Sequence, residues 1–269
     1  MFRRKLLLSV IIILVCFNYL AGQDLVAFTK HSFTDQGQTL LYRLLQPLNF
    51  DSSKKYPLVI FLHGAGLKGN DNESQLKTGA SFFLQDSNRL RYPAYVLFPQ
   101  CPVEDLWNFF EIRFELAEDS GLLKPVIKES IFPFNDTPTT TTRLLLSLAD
   151  SLRKLTNTDT SRLYIGGISQ GGMGVWDIVA RKPGWFAAAF PICGMGNTDI
   201  VKHISKATRF WIFHGAADDV IPAGYSRQFY KKLQRKGYQV KYTEYPGVKH
   251  DCWNHVFAEK DLLPWMFGL

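Results

Sequence analysis

A chain of 269 residues, 46% hydrophobic and 20% charged, has the make-up of one ordinary globular domain. Its formal charge of +7 comes without a block of lysine and arginine outside the extreme N-terminus, which argues against a nucleic-acid partner and for a solvated, mildly cationic surface. No internal repeat and no long Pro/Gly/Ser linker divides it. The one short low-complexity run, Thr139–Thr142, is expected to cap a helix.

The chain opens with a basic trio, Arg3, Arg4 and Lys5. An apolar run, Leu6–Leu20, follows, interrupted by Ser9 and Asn18, and then the small pair Ala21-Gly22. This order reads residues 1–22 as a secretory signal peptide, too short for a comfortable span of ~20 residues. The expectation is a secreted or periplasmic protein, residues 23–269, with no stable membrane insertion after cleavage. An uncleaved anchor is the alternative. Beyond that segment three cysteines are left, Cys101, Cys193 and Cys252, so at least one thiol is unpaired. No Cys/His spacing suggests a metal site, and neither metal nor cofactor is expected. Buried, inert thiols are the default.

Leu25–Phe33 and Thr39–Pro47 flank the turn signal Asp35-Gln36-Gly37 and read as an antiparallel hairpin. Tyr56–Leu62 is a continuous apolar run of strand length, followed by His63-Gly64-Ala65-Gly66. Further strand-like runs are Ala94–Phe98, closed by Pro99, then Leu163–Ile165, Phe186–Ile192, Phe210–Phe213 and Val240–Tyr245. Runs without alternation suit strands buried on both faces. Helical stretches fall between them at Arg143–Leu155, Gly172–Lys182 and Gly224–Lys236. The prediction is an α/β fold: a mostly parallel central sheet, helices on both faces, and the N-terminal hairpin at one edge. Val103–Thr137, after the fourth core strand, breaks the rhythm. It holds Trp107 and five phenylalanines, and a stretch that long is usually functional. It is expected to be a lid-like insertion lining the substrate pocket. A packed peripheral helix pair is the alternative.

Gly167-Ile168-Ser169-Gln170-Gly171 lies between a predicted strand and a predicted helix, the context of a nucleophile elbow. A serine hydroxyl is a weak nucleophile near neutral pH and needs a base, which in turn needs an orienting acid. His250, just after the last predicted strand, is the best-placed base. His63 and His214 sit in glycine turns, where a structural hydrogen bond is usual. His255 falls on a predicted helix, and His31 and His203 lack supporting context. The acid should follow Phe210–Phe213, where Asp218 and Asp219 compete and spacing does not separate them. A tetrahedral intermediate needs two N–H donors. The amide of Gln170 supplies one. The loop after Leu62 supplies the other, through Ala65 with Gly66 as runner-up.

Six ordered segments carry a resemblance: Phe61–Gly66, Pro99–Pro102, Gly167–Gly172, Pro191–Gly194, His214–Pro222 and Tyr245–Trp253. On them the chain resembles secreted bacterial esterases of the α/β-hydrolase superfamily. It is most similar to the phospholipase/carboxylesterase group, which includes acyl-protein thioesterases, and to the predicted-peptidase branch beside it. The resemblance implies Asp218 as the acid, His250 as the base and Ala65 as the first oxyanion donor. The implied activity is hydrolysis of a small-molecule or polysaccharide ester. Two departures stand out. Lys249 replaces a small residue before the histidine and is expected to bring charge to the pocket. The Val103–Thr137 insertion replaces a compact loop, so lipid-like substrates do not carry over. Trp107 and Trp253 are candidates for stacking on a substrate ring, whereas Trp176 on the elbow helix reads as core. A peptidase of the prolyl-oligopeptidase type and a non-catalytic binding protein are the competing readings. The first lacks room for a filtering domain, and the second usually loses a triad residue.

Overall fold

The computed structural model describes residues 25–119 and 122–268, so the expected signal peptide lies outside the described residues. Strands β1 (Phe28–Asp35) and β2 (Gln38–Leu45) form the N-terminal hairpin. Its two turn residues, Gln36 and Gly37, both have positive φ (51° and 73°), the turn that matches the twist of paired strands. β3 (Tyr56–Leu62), β4 (Tyr95–Gln100), β7 (Thr158–Ile168), β8 (Ala188–Ile192), β9 (Arg209–Gly215) and β10 (Val240–Tyr245) complete an eight-stranded sheet in the order β1-β2-β4-β3-β7-β8-β9-β10. β1 and β2 are antiparallel to their neighbours, and all other pairings are parallel.

Alternate residues of each central strand feed opposite cores. Leu58, Ile60 and Leu62 face one core with Leu163, Ile165, Phe210 and Ile212. Val59 and Phe61 face the other with Tyr164, Trp211 and Phe213. Helices α3 (Thr140–Arg153), α4 (Gln170–Arg181) and α5 (Gly224–Arg235) cover the first face. α1 (Ala80–Leu84), α6 (Trp253–Val256) and α7 (Leu262–Phe267) cover the second, while the short α2 (Asp86–Arg91) buries nothing. Trp176 is core as expected, stacked on Phe229 with ring centroids 3.9 Å apart. Among the described residues no helix is long and apolar enough to cross a membrane.

Pro99 does not end its strand. β3 leaves β4 after the Ile60–Leu97 pair, so beyond that point β4 pairs with β2 alone and a missing N–H is tolerated. β7 likewise runs well past the predicted Leu163–Ile165, through Gly166 and Gly167. An added Cβ at Gly166 would stand 2.1 Å from the Phe190 ring, so the aromatic ring occupies the space of the missing side chain.

The Val103–Thr137 insertion forms neither a helix pair nor part of the main sheet. Its strands β5 (Glu111–Asp119) and β6 (Leu122–Ile131) make a separate two-stranded hairpin. Both ends are tied down. On the way in, Trp107 is fully buried and its indole N–H donates to the His63 carbonyl at 3.0 Å. The Thr142 hydroxyl donates to the Trp107 carbonyl, and the Thr139 hydroxyl donates to the Leu106 carbonyl while accepting from the Thr142 amide, the expected cap. On the way out, Arg181 pairs with Asp177 at 2.6 Å, donates to the Asn135 carbonyl and lies over the Phe134 ring. The expectation that Trp107 stacks on substrate is therefore corrected. With no exposed surface, the indole is a wedge between the insertion, the His63 turn and the elbow helix, where a Cβ on Gly174 would meet Trp107 Cβ at 2.6 Å.

Gly166→Ala should destabilise the fold by roughly 1–3 kcal/mol, the usual range for overpacking. Phe190→Leu in the same chain should recover part of that loss. Urea denaturation of the single and double variants measures the coupling, and strict additivity would contradict the clash.

Candidate active site

Ser169 sits where β7 passes into α4, with φ 53° and ψ −118°. A non-glycine residue held in that region costs roughly 1–3 kcal/mol and persists only where its surroundings leave no alternative. Here the surroundings are backbone. A Cβ on Gly171 would stand 2.2 Å from the Leu62 carbonyl oxygen, and one on Gly167 would stand 2.5 Å from the Gly171 oxygen. Both glycines are thus dictated by the crossing of α4 over the end of β3.

The Ser169 hydroxyl lies 3.0 Å from His250 Nε2, and His250 Nδ1 lies 2.8 Å from Asp218 Oδ2. A carboxylate only accepts, so Nδ1 carries the proton and Nε2 offers its lone pair to the serine. The three residues that sequence reasoning singled out as nucleophile, base and acid meet in one hydrogen-bonded chain. The base loop is stitched to the acid loop. The Ala217 amide donates to the Val248 carbonyl, the Ala216 amide donates to that of Tyr245, and a Cβ on Gly215 would strike the Lys249 carbonyl at 2.2 Å.

The two aspartates separate cleanly. The Asp218 side chain is fully buried; Oδ1 accepts from the Val220 and Ile221 amides at 2.9 and 2.8 Å. Burial alone would raise its pKa. Hydrogen bonds from His214, His250 and the two amides outweigh burial and hold it well below the usual carboxylate range. Asp219 instead points outward and pairs with Lys249 at 2.9 Å, both side chains largely exposed. Lys249 therefore does not bring an uncompensated charge to the site, contrary to the sequence expectation.

His214, expected only to steady its loop, does more. Its Nε2–H faces the Ile221 carbonyl at 2.9 Å and Asp218 Oδ2 at 3.1 Å, and its Nδ1 accepts from the Ser226 hydroxyl at 2.7 Å. It is a buried second donor to the acid. The only sequence signal for it was a histidine four residues before Asp218 at a strand end.

Gln170 is the first residue of α4, and Ala65 opens a 3-10 turn, Ala65–Leu67. Amides in a first turn have no partner inside their helix. Gly64 brings the Ala65 turn alongside Ser169, since a Cβ there would stand 3.5 Å from Ser169 Cβ. His63 braces that turn, donating from Nδ1 to the Gly64 carbonyl at 2.8 Å and accepting the Cys101 amide at Nε2 at 3.0 Å. Burial pushes its pKa down to about 4, so the ring stays neutral and holds this tautomer.

Trp253 is half-buried and meets the His250 ring edge-on, with centroids 5.7 Å apart. Cys193, at φ 41°, lies beneath the triad, its sulfur within 4.8 Å of an Asp218 oxygen and a His250 nitrogen. Burial, reinforced by the Cys252 thiol, pushes its pKa well above the ordinary value, so it stays protonated and does not compete with the serine. Burial likewise pushes Cys101 up to about 12. All three cysteines are free and buried, as expected.

The profile of the phospholipase/carboxylesterase family matches residues 123–260, about half the chain. The chain belongs to this family. It is similar to an acyl-protein thioesterase 1 of Neurospora crassa, 32% identical over 110 residues, covering 38% of this chain and 45% of the thioesterase. It is also similar to the mouse (Mus musculus) lysophospholipase-like protein 1, 25% identical over 75% of this chain and 82% of that protein. A solved thermostable esterase superposes with a TM-score of 0.78 at 33% identity, covering 91% of this chain and 63% of its own. The chain thus spans less than two thirds of both the thioesterase and the esterase. The arrangement is that of an α/β-hydrolase of this family.

Because the folded pKa of Asp218 lies below its unfolded value of ~3.9, its ionised hydrogen bonds stabilise the fold above that pH and are lost as pH falls toward the depressed value. Asp218→Asn should cost roughly 1–3 kcal/mol at pH 6.5, and the gap to wild type should hold down to about pH 4–5 and narrow only below that, toward pH 3. Urea midpoints across that range test this. A gap independent of pH would mean the carboxylate is not ionised in its bonded state.

Proposed function

We propose that the chain is a secreted serine carboxylesterase acting through an acyl-enzyme. The observation that carries this reading is the hydrogen-bonded chain Ser169–His250–Asp218 at a strained elbow. Membership of the phospholipase/carboxylesterase family and the likeness to a thermostable esterase support it. The basic and apolar N-terminal sequence is what supports secretion.

Ser169 Oγ attacks the ester carbonyl while His250 Nε2 takes its proton. Asp218 keeps the imidazole in the right tautomer and balances the imidazolium charge. The amides of Gln170 and Ala65 receive the oxyanion. The carbon–oxygen bond to the alcohol then breaks, and His250 returns the proton to the departing oxygen. Water, activated by the same histidine, releases the acid and restores the serine. His214 keeps the acid in place from behind. Trp253, beside His250, borders the side from which the alcohol leaves. Substrates that fit this reading are acetyl or feruloyl esters of polysaccharides, or small short-chain esters.

Ser169→Ala should lower ester hydrolysis by ~10⁴-fold or more without altering the melting curve, and should abolish labelling by a fluorophosphonate probe. A folded variant retaining a tenth of wild-type activity would remove Ser169 from its role. Asp218→Asn should lower kcat on the order of 10³- to 10⁴-fold, because the tautomer is no longer enforced. Asp219→Asn, which loses only the exposed pair with Lys249, should stay within about twofold, since such pairs contribute little. Steady-state kinetics on a nitrophenyl ester decides the order of the two.

A further inference from the structure

The loop that carries Asp218 is held chiefly at one residue. From Ala216 to Pro222, Ile221 is the only buried apolar side chain, and Val220 beside it is exposed. The Ile221 main chain meets the Asp218 contacts from two directions. Its amide donates to Asp218 Oδ1 at 2.8 Å. Its carbonyl accepts the Nε2–H of His214 at 2.9 Å, and that same nitrogen stands 3.1 Å from Asp218 Oδ2. A displacement of Ile221 is therefore felt at both carboxylate oxygens.

What buries Ile221 comes from outside its loop. Its side chain joins Met173, in the first turn of α4, and Met195, beyond the end of β8, in a small apolar cluster. Phe110, Ile112 and Phe132, from the base of the insertion, pack against that cluster. So does Tyr225, in the first turn of α5. The Tyr225 and Ser130 hydroxyls are hydrogen-bonded at 2.5 Å, and the Tyr225 ring meets Phe132 edge-on with centroids 6.5 Å apart. The Tyr225 amide donates to the Pro222 carbonyl at 3.2 Å, so the ring is fixed to the stretch of chain that immediately follows Ile221. Tyr225 thus fastens the insertion to the end of the Asp218 loop, and the insertion packs against the cluster that buries Ile221.

We propose that the base of the insertion is a clamp on the acid loop, and that Tyr225 and Ser130 are positioning residues that act on the reaction through Ile221 and Asp218. The inference rests on the esterase reading above, in which Asp218 is the acid. It goes beyond that reading by giving the insertion a part in the chemistry rather than in lining the substrate site. Asp218 accepts from His250 Nδ1 and balances the imidazolium that forms when the serine is deprotonated. The clamp therefore acts on the chemical step and leaves substrate binding alone. Misplacing such a group by about 1 Å costs on the order of 10²-fold in rate, so a partly loosened loop falls short of that.

Steady-state kinetics of the full chain on nitrophenyl esters tests this. Tyr225→Phe keeps the ring and removes the hydroxyl. It should lower kcat roughly three- to tenfold, with KM within about twofold of wild type and the ranking of acyl groups unchanged. Ser130→Ala should do the same from the other partner, and the double variant should lose no more than either alone, because all three lack the same bond. The decisive background is Asp218→Asn, which has already lost the contribution of the acid. Adding Tyr225→Phe there should change kcat by less than about twofold. Unchanged kcat in both single variants, a rise in KM or altered acyl ranking in place of the fall in kcat, or a full additional loss in the Asp218→Asn background would overturn the clamp. Absence of ester hydrolysis and of fluorophosphonate labelling in wild type would instead overturn the esterase reading, and the clamp with it.

Discussion

The contact between Gly171 and the Leu62 carbonyl is what the rest of the site depends on. α4 crosses the end of β3 so closely that a single methyl group would penetrate to 2.2 Å of that oxygen. The chain therefore turns sharply out of β7, and Ser169 takes up a backbone conformation it would not adopt alone. The same crossing puts the Gln170 amide and the Gly64–Ala65 turn on either side of the serine. Ser169 and the Gln170 and Ala65 amides are positioned by one close approach of backbone to backbone, within a sheet too densely packed to relax.

Around that crossing, buried polar side chains act as braces. His63 ties the Ala65 turn to Cys101, and His214 ties Asp218 to the Ile221 carbonyl and, through Ser226, to α5. Each ring has both nitrogens occupied, which is what makes a buried imidazole tolerable. Trp107 adds a third brace, linking the insertion to the His63 carbonyl. These three residues thus hold the loops around Ser169, and each loop rises from the C-terminal end of a parallel strand, where an open α/β sheet gathers its ligand-binding groups.

The insertion is anchored at its base. Trp107 and Arg181 hold the two ends, and Ser130 reaches Tyr225 at 2.5 Å, beside the acid loop. Farther out Phe114, Leu116 and Leu123 are exposed. The two ends of the segment are thus fixed to the body of the domain, while its outer strands carry exposed apolar side chains.

Much of this was legible in the sequence. Apolar runs without alternation marked the buried strands, because a strand between two helical layers feeds both cores. Gly167 and Gly171 marked the elbow, because only glycine satisfies that crossing. The loops after β9 and β10 announced an acid and a base by chain order. What the sequence left open was always a question of direction. Asp218 and Asp219 are neighbours of identical chemistry, and only the fold turns one inward to His250 and His214 and the other outward to Lys249. Trp107 reads as a ring for substrate or for core until the His63 carbonyl and Gly174 close around it. Val103–Thr137 has no strong periodicity, since a hairpin clamped at its base, with Phe114, Leu116 and Leu123 exposed farther out, has no uniformly buried face to imprint on the residues. Local pattern determined which residues were chemically able. The packing of distant segments decided which of them face one another, because that depends on close approaches between parts of the chain that do not sense each other until the sheet has formed.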